Sequence, residues 1–203
     1  MQHSFSSDIA HNKKFFETLI DRYGNHVKAL GLNEKSQKER FDILIQVGDI
    51  KGKSLLDVGC GFGDLIGYLK KKEIQVTYHG VDISSRMIEI ARELNPQHTF
   101  EVSDILCWTD QERYDYVVSN GFGNIKTTNN NAMMEAMVTK MFSMCKKAVA
   151  VTMTSASSQR PNPETFYYEP ERIVSIARKL SQRFLLRHDY MPHDLTIYIY
   201  KGY

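Results

Sequence analysis

Three glycines at alternate positions, Gly59, Gly61 and Gly63, follow directly on the apolar run Leu55-Leu56-Asp57-Val58. That order constrains the fold more than any other part of the chain. A short strand with apolar residues on both faces belongs inside a parallel sheet. Glycines just beyond it let the backbone take positive φ, turn sharply and come within touching distance of a ligand. The stretch LLDVGCGFGDL (55–65) therefore predicts a buried strand, a ligand-facing turn and the start of a helix.

Strand and helix patterns alternate from there on. Strands are expected at 54–58, 77–83, 100–102, 114–119 and 148–153. Helices are expected at 64–72, 84–94 (stopped by Asn95-Pro96), 132–144 and 170–182. Such alternation implies right-handed crossovers and a parallel sheet covered on both faces. Two further strands, 184–190 and 195–201, are separated by only a few residues, so the last must run antiparallel to its predecessor. Residues 1–48 read as helices ahead of the core, with Phe15, Phe16, Leu19 and Ile20 on one face and an apolar stripe from Phe41 to Ile45. The expectation is one α/β domain over 1–203, Rossmann-like and doubly wound. Its seven-stranded, mostly parallel sheet would have an antiparallel last strand, with 1–48 as a helical cap and 49–203 as the core.

Composition narrows the function classes. A chain of 203 residues with 42% apolar content can bury a core without disulfides or metal. The net charge of +2 and interspersed charges give no basic stripe, so no nucleic-acid partner is expected. Cys60, Cys107 and Cys145 are widely spaced with no CxxC, which argues against a zinc site and for a reducing compartment. With no apolar run of membrane-spanning length and no leader-like segment, the expectation is a cytoplasmic protein without a membrane partner.

The chemistry-bearing residues fall at the carboxyl ends of the expected strands, where open parallel sheets bind ligands. A dinucleotide fingerprint, G-x-G-x-x-G, would need glycine at position 64, and Asp64 is there. Instead Asp57 stands two residues before the first glycine, placed to serve an ammonium group. Asp82, about twenty residues on, can accept both hydroxyls of a ribose. Its alternative is to cap the following helix. Asp104 after the third strand can accept from an exocyclic amine, with Ile105 offering a backbone N–H; its alternative is a plain turn acid. Asn120 ends the fourth strand, where a reacting group would lie. Together these favour an adenosine-containing ligand, and the position of Asp57 favours S-adenosylmethionine (SAM).

In this order, LLDVGCGFGDL, YHGVDIS, FEVSDIL and DYVVSNG resemble the four motifs of the class I SAM-dependent methyltransferases over residues ~50–153. The resemblance implies SAM as cofactor and S-adenosylhomocysteine (SAH) as product. It puts Asp57, Gly59, Cys60 and Gly61 beside the methionine portion, Asp82 and Ile83 on ribose and adenine, and Asp104 with Ile105 on the adenine amine. The [N/D]-P-P-[Y/F/W] segment of nucleobase amino-methylating relatives is missing, since Ser119-Asn120-Gly121-Phe122 has no proline.

For the acceptor side, the turn 187–194 gathers two histidines and two acids, and His188 or His193 could be a general base because histidine titrates near neutrality. A polar surface turn is the alternative. Tyr167, after the fifth strand, could orient the acceptor or simply pack. From the cap, Gln37 and Arg40 open the second helix, Arg40 placed to pair with the methionine carboxylate or else solvated, and Tyr23 could cover the sulfonium. The expected acceptor is a small molecule methylated on oxygen, less readily on nitrogen. The alternatives are an RNA or protein acceptor, a non-catalytic SAM-binding module, and an NAD-dependent oxidoreductase that fails at residue 64. Oligomeric state is not legible.

Overall fold

The computed structural model describes residues 5–109, 113–159 and 161–202. The expected strands form one sheet. In chain order the elements are α1 (Ser6–Tyr23), α2 (Glu34–Leu44), β1 (Ser54–Val58), α3 (Asp64–Lys71), β2 (Thr77–Asp82), α4 (Ser85–Leu94), β3 (Thr99–Val102), β4 (Tyr114–Asn120), α5 (Asn130–Met144), β5 (Cys145–Thr154), α6 (Pro170–Leu180), β6 (Phe184–Arg187) and β7 (Asp194–Tyr200). The strand order is β3-β2-β1-β4-β5-β7-β6. All neighbouring pairs among β1–β5 are parallel, and β7 is antiparallel to both β5 and β6. Strand order reverses between β1 and β4, and that crevice is where a doubly wound sheet takes a ligand.

Alternation along the strands builds two cores. Leu56, Val117, Val149 and Ile197 face α5 and α6, where Met141, Ile173 and Ile176 cover them. Leu55, Val118, Ala150 and Tyr198 face the other way, against Phe41 and Leu44 of α2, Leu65 and Leu69 of α3, and Ile88 of α4. One-residue alternation is what a strand with side-chain period two must do when both faces are covered.

The expected cap divides into two parts with different roles. α2 is a core helix on the sheet, begun by a capping box in which the Asn33 side chain accepts from Ser36 N and the Ser36 hydroxyl serves the Asn33 backbone. α1 and the short helical turn Val27–Leu30 instead lie over the glycine turn, packing Ile20, Ala29, Phe62 and Met87 together. Two straps hold α1 down. At its start Asp8 accepts hydrogen bonds from Thr128 N and Asn129 Nδ2, and at its end Asp21 pairs with Arg86 of α4 at 2.7 Å. Residues 1–4 of the expected cap lie outside the described residues.

β6 stops at Arg187, short of the expected 190, because Arg187 turns to grip Asp189 and the Tyr190 hydroxyl bonds Thr196 across the hairpin. Among the described residues no helix is long and apolar enough to cross a membrane.

Candidate active site

At the carboxyl end of β1 the backbone turns through Gly59 (φ 71°) and Gly61 (φ 55°), in the left-handed region that disfavours side chains. Space is tight as well. A Cβ on Gly59 would meet Phe122 at 3.2 Å, and one on Gly61 would meet Leu30 at 2.9 Å. The turn is bolted to β2, because Gly59 N and Cys60 N both donate to Val81 O. Asp82 completes the joint, its Oδ2 accepting from Gly61 N (3.0 Å) and its Oδ1 from Ser84 N (2.9 Å). Ser84 is the residue that caps α4, accepting from Met87 N, so Asp82 is not spent on the cap.

These residues line one cavity of about 230 Å³ between the sheet end and α1. Its floor carries Asp57, Gly59, Cys60, Gly61, Asp64 and Asp82; one side carries Ile83, Asp104 and Ile105, and the other Asn120 and Gly121. Charge is one-sided: four carboxylates line it, whereas its guanidinium, Arg40, is already matched. Arg40 Nε and Nη2 donate to Asp194 Oδ2 and Oδ1 at 2.6 and 2.7 Å, both residues buried.

Burial governs the acids. The Asp57 carboxyl is pushed up to about 7 by desolvation, against the Tyr78 hydroxyl that donates to it and with the Asp82 and Asp64 charges adding to the rise. Desolvation also raises Asp82, opposed by the N–H groups of Ser84, Gly61 and Ile83, and raises Asp64, opposed by Gln37, whose Nε2 donates at 2.7 Å. Burial keeps the Cys60 thiol protonated, so it is wall and not nucleophile. Asn120 Oδ1 is buried with no hydrogen-bond partner. A cavity walled by four acids with no cation among the described residues paired to them, and by an unused amide oxygen, suits a ligand that brings positive charge and N–H donors.

A family model described as a methyltransferase domain matches residues 49–191. The chain belongs to the methyltransferase-domain family. The matched span runs from just before β1 to the turn that precedes β7, so it contains every cavity-lining acid named above. Among relatives, this methyltransferase is 26% identical over 160 residues to a Mycobacterium tuberculosis protein described as a methyltransferase, covering 73% of this chain and 93% of that one. It is 29% identical over 118 residues to the demethylmenaquinone methyltransferase of Thermotoga maritima, covering 56% of this chain but only 50% of that protein. The magnesium protoporphyrin IX methyltransferase of Synechocystis, solved with bound SAH, superposes with a TM-score of 0.69 over 96% of this chain and all of that one; at 16% identity it shows the shared class I fold.

The structure brings most of the methyltransferase's predicted cofactor residues together: Asp57, Gly59, Cys60, Gly61, Asp82, Ile83, Asp104, Ile105, Asn120, Gln37 and Arg40 all line the cavity. Others are elsewhere. Tyr23 packs beside Ile20 and Phe62 with Arg22 over its ring, away from the cavity wall. His188, with its Nε2 buried and unpartnered, also lies outside that wall, as does Tyr167, whose hydroxyl accepts from Asn162 N. His193 lines a shallow depression next door with Tyr190 and Met191, its carbonyl accepting from Ser155 N. Around His188 and His193 the hairpin bonds to itself, Arg187 to Asp189 and Tyr190 to Thr196. Arg40, expected to seek a ligand carboxylate, has Asp194 as its partner.

Sequence reasoning missed the cavity's roof. Ile9, Asn12 and Phe16 on α1 and Met133 and Met137 on α5 line it. The spacing of 9, 12 and 16 is helical and extends the expected cap-helix face to Ile9 and Asn12, whereas nothing in the sequence of α5 distinguishes Met133 and Met137 from its other methionines. Asp64, set aside as a failed glycine, is also a wall residue.

Proposed function

We propose that this methyltransferase transfers the SAM methyl group to an oxygen, less readily a nitrogen, of a small-molecule acceptor in the cytoplasm, as a single catalytic domain over 1–203 in which α1, from the expected 1–48 cap, covers the site. The observation that carries the reading is the single cavity joining the motif residues of β1–β4 to an apolar compartment beneath α1. Its apolar roof favours a small acceptor over a polymer strand.

The cavity residues fit SAM on the grounds already given: surplus carboxylates, the orphaned Asn120 oxygen and a glycine turn open to close approach. When bound, the cofactor supplies an activated methyl on a sulfonium. The chain's own part is to bind and align. Asp82 holds ribose hydroxyls, Asp104 an adenine amine, and Asp57 and Asn120 the ammonium end. α1 and α5 hold the acceptor. Alignment of this kind is worth roughly 7–11 kcal/mol of barrier. The acceptor oxygen bonds to the methyl carbon as the carbon–sulfur bond breaks, the electron pair stays on sulfur, and a hydroxyl acceptor gives its proton to solvent. Among the described residues no histidine lines the cavity.

Calorimetric titration with SAH tests the cofactor assignment. Wild type should bind at micromolar strength, and Asp82→Ala should weaken binding at least ~30-fold, about 2 kcal/mol for hydrogen bonds to a charged group. Tight NAD binding with none to SAH would sink it. Incubating methyl-labelled SAM with protein and cell extract tests the acceptor class: label should enter the small-molecule fraction, and label on RNA or protein would overturn that part alone.

A further inference from the structure

The roof of the cavity has a chemistry of its own. Ile9 and Phe16 descend from α1, Phe122 and Ile125 from the segment after β4, and Met133 and Met137 from α5. None carries charge. In their midst is Asn12, a cavity-lining residue only 8% exposed, whose Oδ1 is buried with no hydrogen-bond partner. Leaving a buried amide oxygen unpaired costs about 1–3 kcal/mol, so a bare apolar compartment would be better served by leucine there. Asn12 also sits on the same α1 face as Ile9 and Phe16, one helical turn from each, where a polar residue interrupts the stripe.

Charge excludes one large class of occupant. The cavity's guanidinium is held by Asp194 in both of its bidentate positions, while Asp57, Asp64, Asp82 and Asp104 face the same space. An anionic acceptor would find no uncommitted ion-pair partner among the described wall residues, since Arg40 is the wall's guanidinium and Asp194 holds it. A neutral one pays no such penalty, and six apolar side chains reward it.

We infer that the roof is an acceptor site for an uncharged, largely apolar molecule, aromatic-sized, bearing a hydroxyl or N–H that donates to Asn12 Oδ1. This deepens the methyltransferase reading and rests on it. Asn12 is a specificity-determining residue that touches the acceptor and not the cofactor.

Matched probes decide the matter. With the protein saturated in SAH, 2-naphthol and 2-naphthoate share one apolar body and differ in charge and donor. Titration calorimetry should show 2-naphthol binding at least tenfold more tightly than 2-naphthoate. Asn12→Leu should cost 2-naphthol about tenfold while SAH affinity stays as in wild type, and Asn12→Asp, which keeps an acceptor oxygen, should retain 2-naphthol. Equal or tighter binding of 2-naphthoate overturns the inference, as does an Asn12→Leu protein that holds 2-naphthol unchanged, or binding of neither probe. Failure of SAH to bind at all overturns the cofactor reading beneath it, and is seen before any probe is added.

Discussion

Burial lifts the Asp57 carboxyl to about 7, against the Tyr78 hydroxyl that donates to it and pulls the other way. In the unfolded chain the same group titrates near 3.8. The folded protein therefore holds this proton more tightly, and its contribution to stability is complete below pH ~4 and lost as pH rises through 7. Asp64 and Asp82, also raised by burial, act with the same sign. Urea melts between pH 4 and 8 should show stability falling with pH. Asp57→Asn should remove up to about one proton's worth of that slope, near 1.4 kcal/mol per pH unit at its steepest around pH 5–6. A cationic ligand beside Asp57 reverses the preference. SAH should bind more tightly at pH 8 than at pH 6 and release protons near pH 6.5, read from titrations in buffers of different ionisation enthalpy. The Asn variant should lose most of this pH dependence. Asp57 was legible in the sequence because an acid just ahead of a glycine turn has few structural reasons to be there. Its proton affinity was not, since that depends on Tyr78 and on burial by distant segments.

α1 is an element fastened by its ends. Asp8 takes two donors from the segment entering α5, and Asp21 takes Arg86 of α4, so the helix bridges the two sides of the crevice. Asp8→Ala should loosen one end. We expect a loss of about 1–2 kcal/mol, the cost of stranding donors that had a charged acceptor. Amide exchange should quicken in residues 6–16 while residues 114–120 hold, and SAH should restore part of the protection, as followed by mass spectrometry. An unchanged exchange rate in α1 would show that packing alone holds it. Element by element, strands and helices were readable from period and punctuation: Ser54–Val58, Thr77–Asp82 and Pro170–Leu180 fall within two residues of expectation. What failed was direction in space. The stripe from Phe15 to Ile20 was visible, yet Asn12 breaks the apolar pattern at the very position where α1 meets the cavity. Met133 and Met137 vanish among the other methionines of α5.

At the scale of the whole molecule, the Arg40–Asp194 pair joins α2 to β7 across 154 residues of chain. Both ends are buried, so removing one leaves the other an uncompensated charge. Asp194→Ala should cost about 3–5 kcal/mol in urea melts, whereas Arg40→Met combined with Asp194→Leu should cost far less, because neither charge remains to be stranded. Equal losses in the single and double variants would mean the pair matters for shape and not for charge. No sequence pattern announces this partnership. Arg40 reads as a helix-face cation and Asp194 as a turn acid, and only the insertion of β7 between β5 and β6 brings them together.

That insertion sets an order of events during synthesis. Val149 and Ala150 wait for Ile199 and Tyr198, and Arg40 waits for Asp194, until residues 194–199 have been made. A chain truncated after residue 193 has β5 with an open edge and an unanswered Arg40 guanidinium, so it should be cut by protease at sites that resist when residues 194–200 are present. For this protein, the moment of becoming folded is written into its last strand.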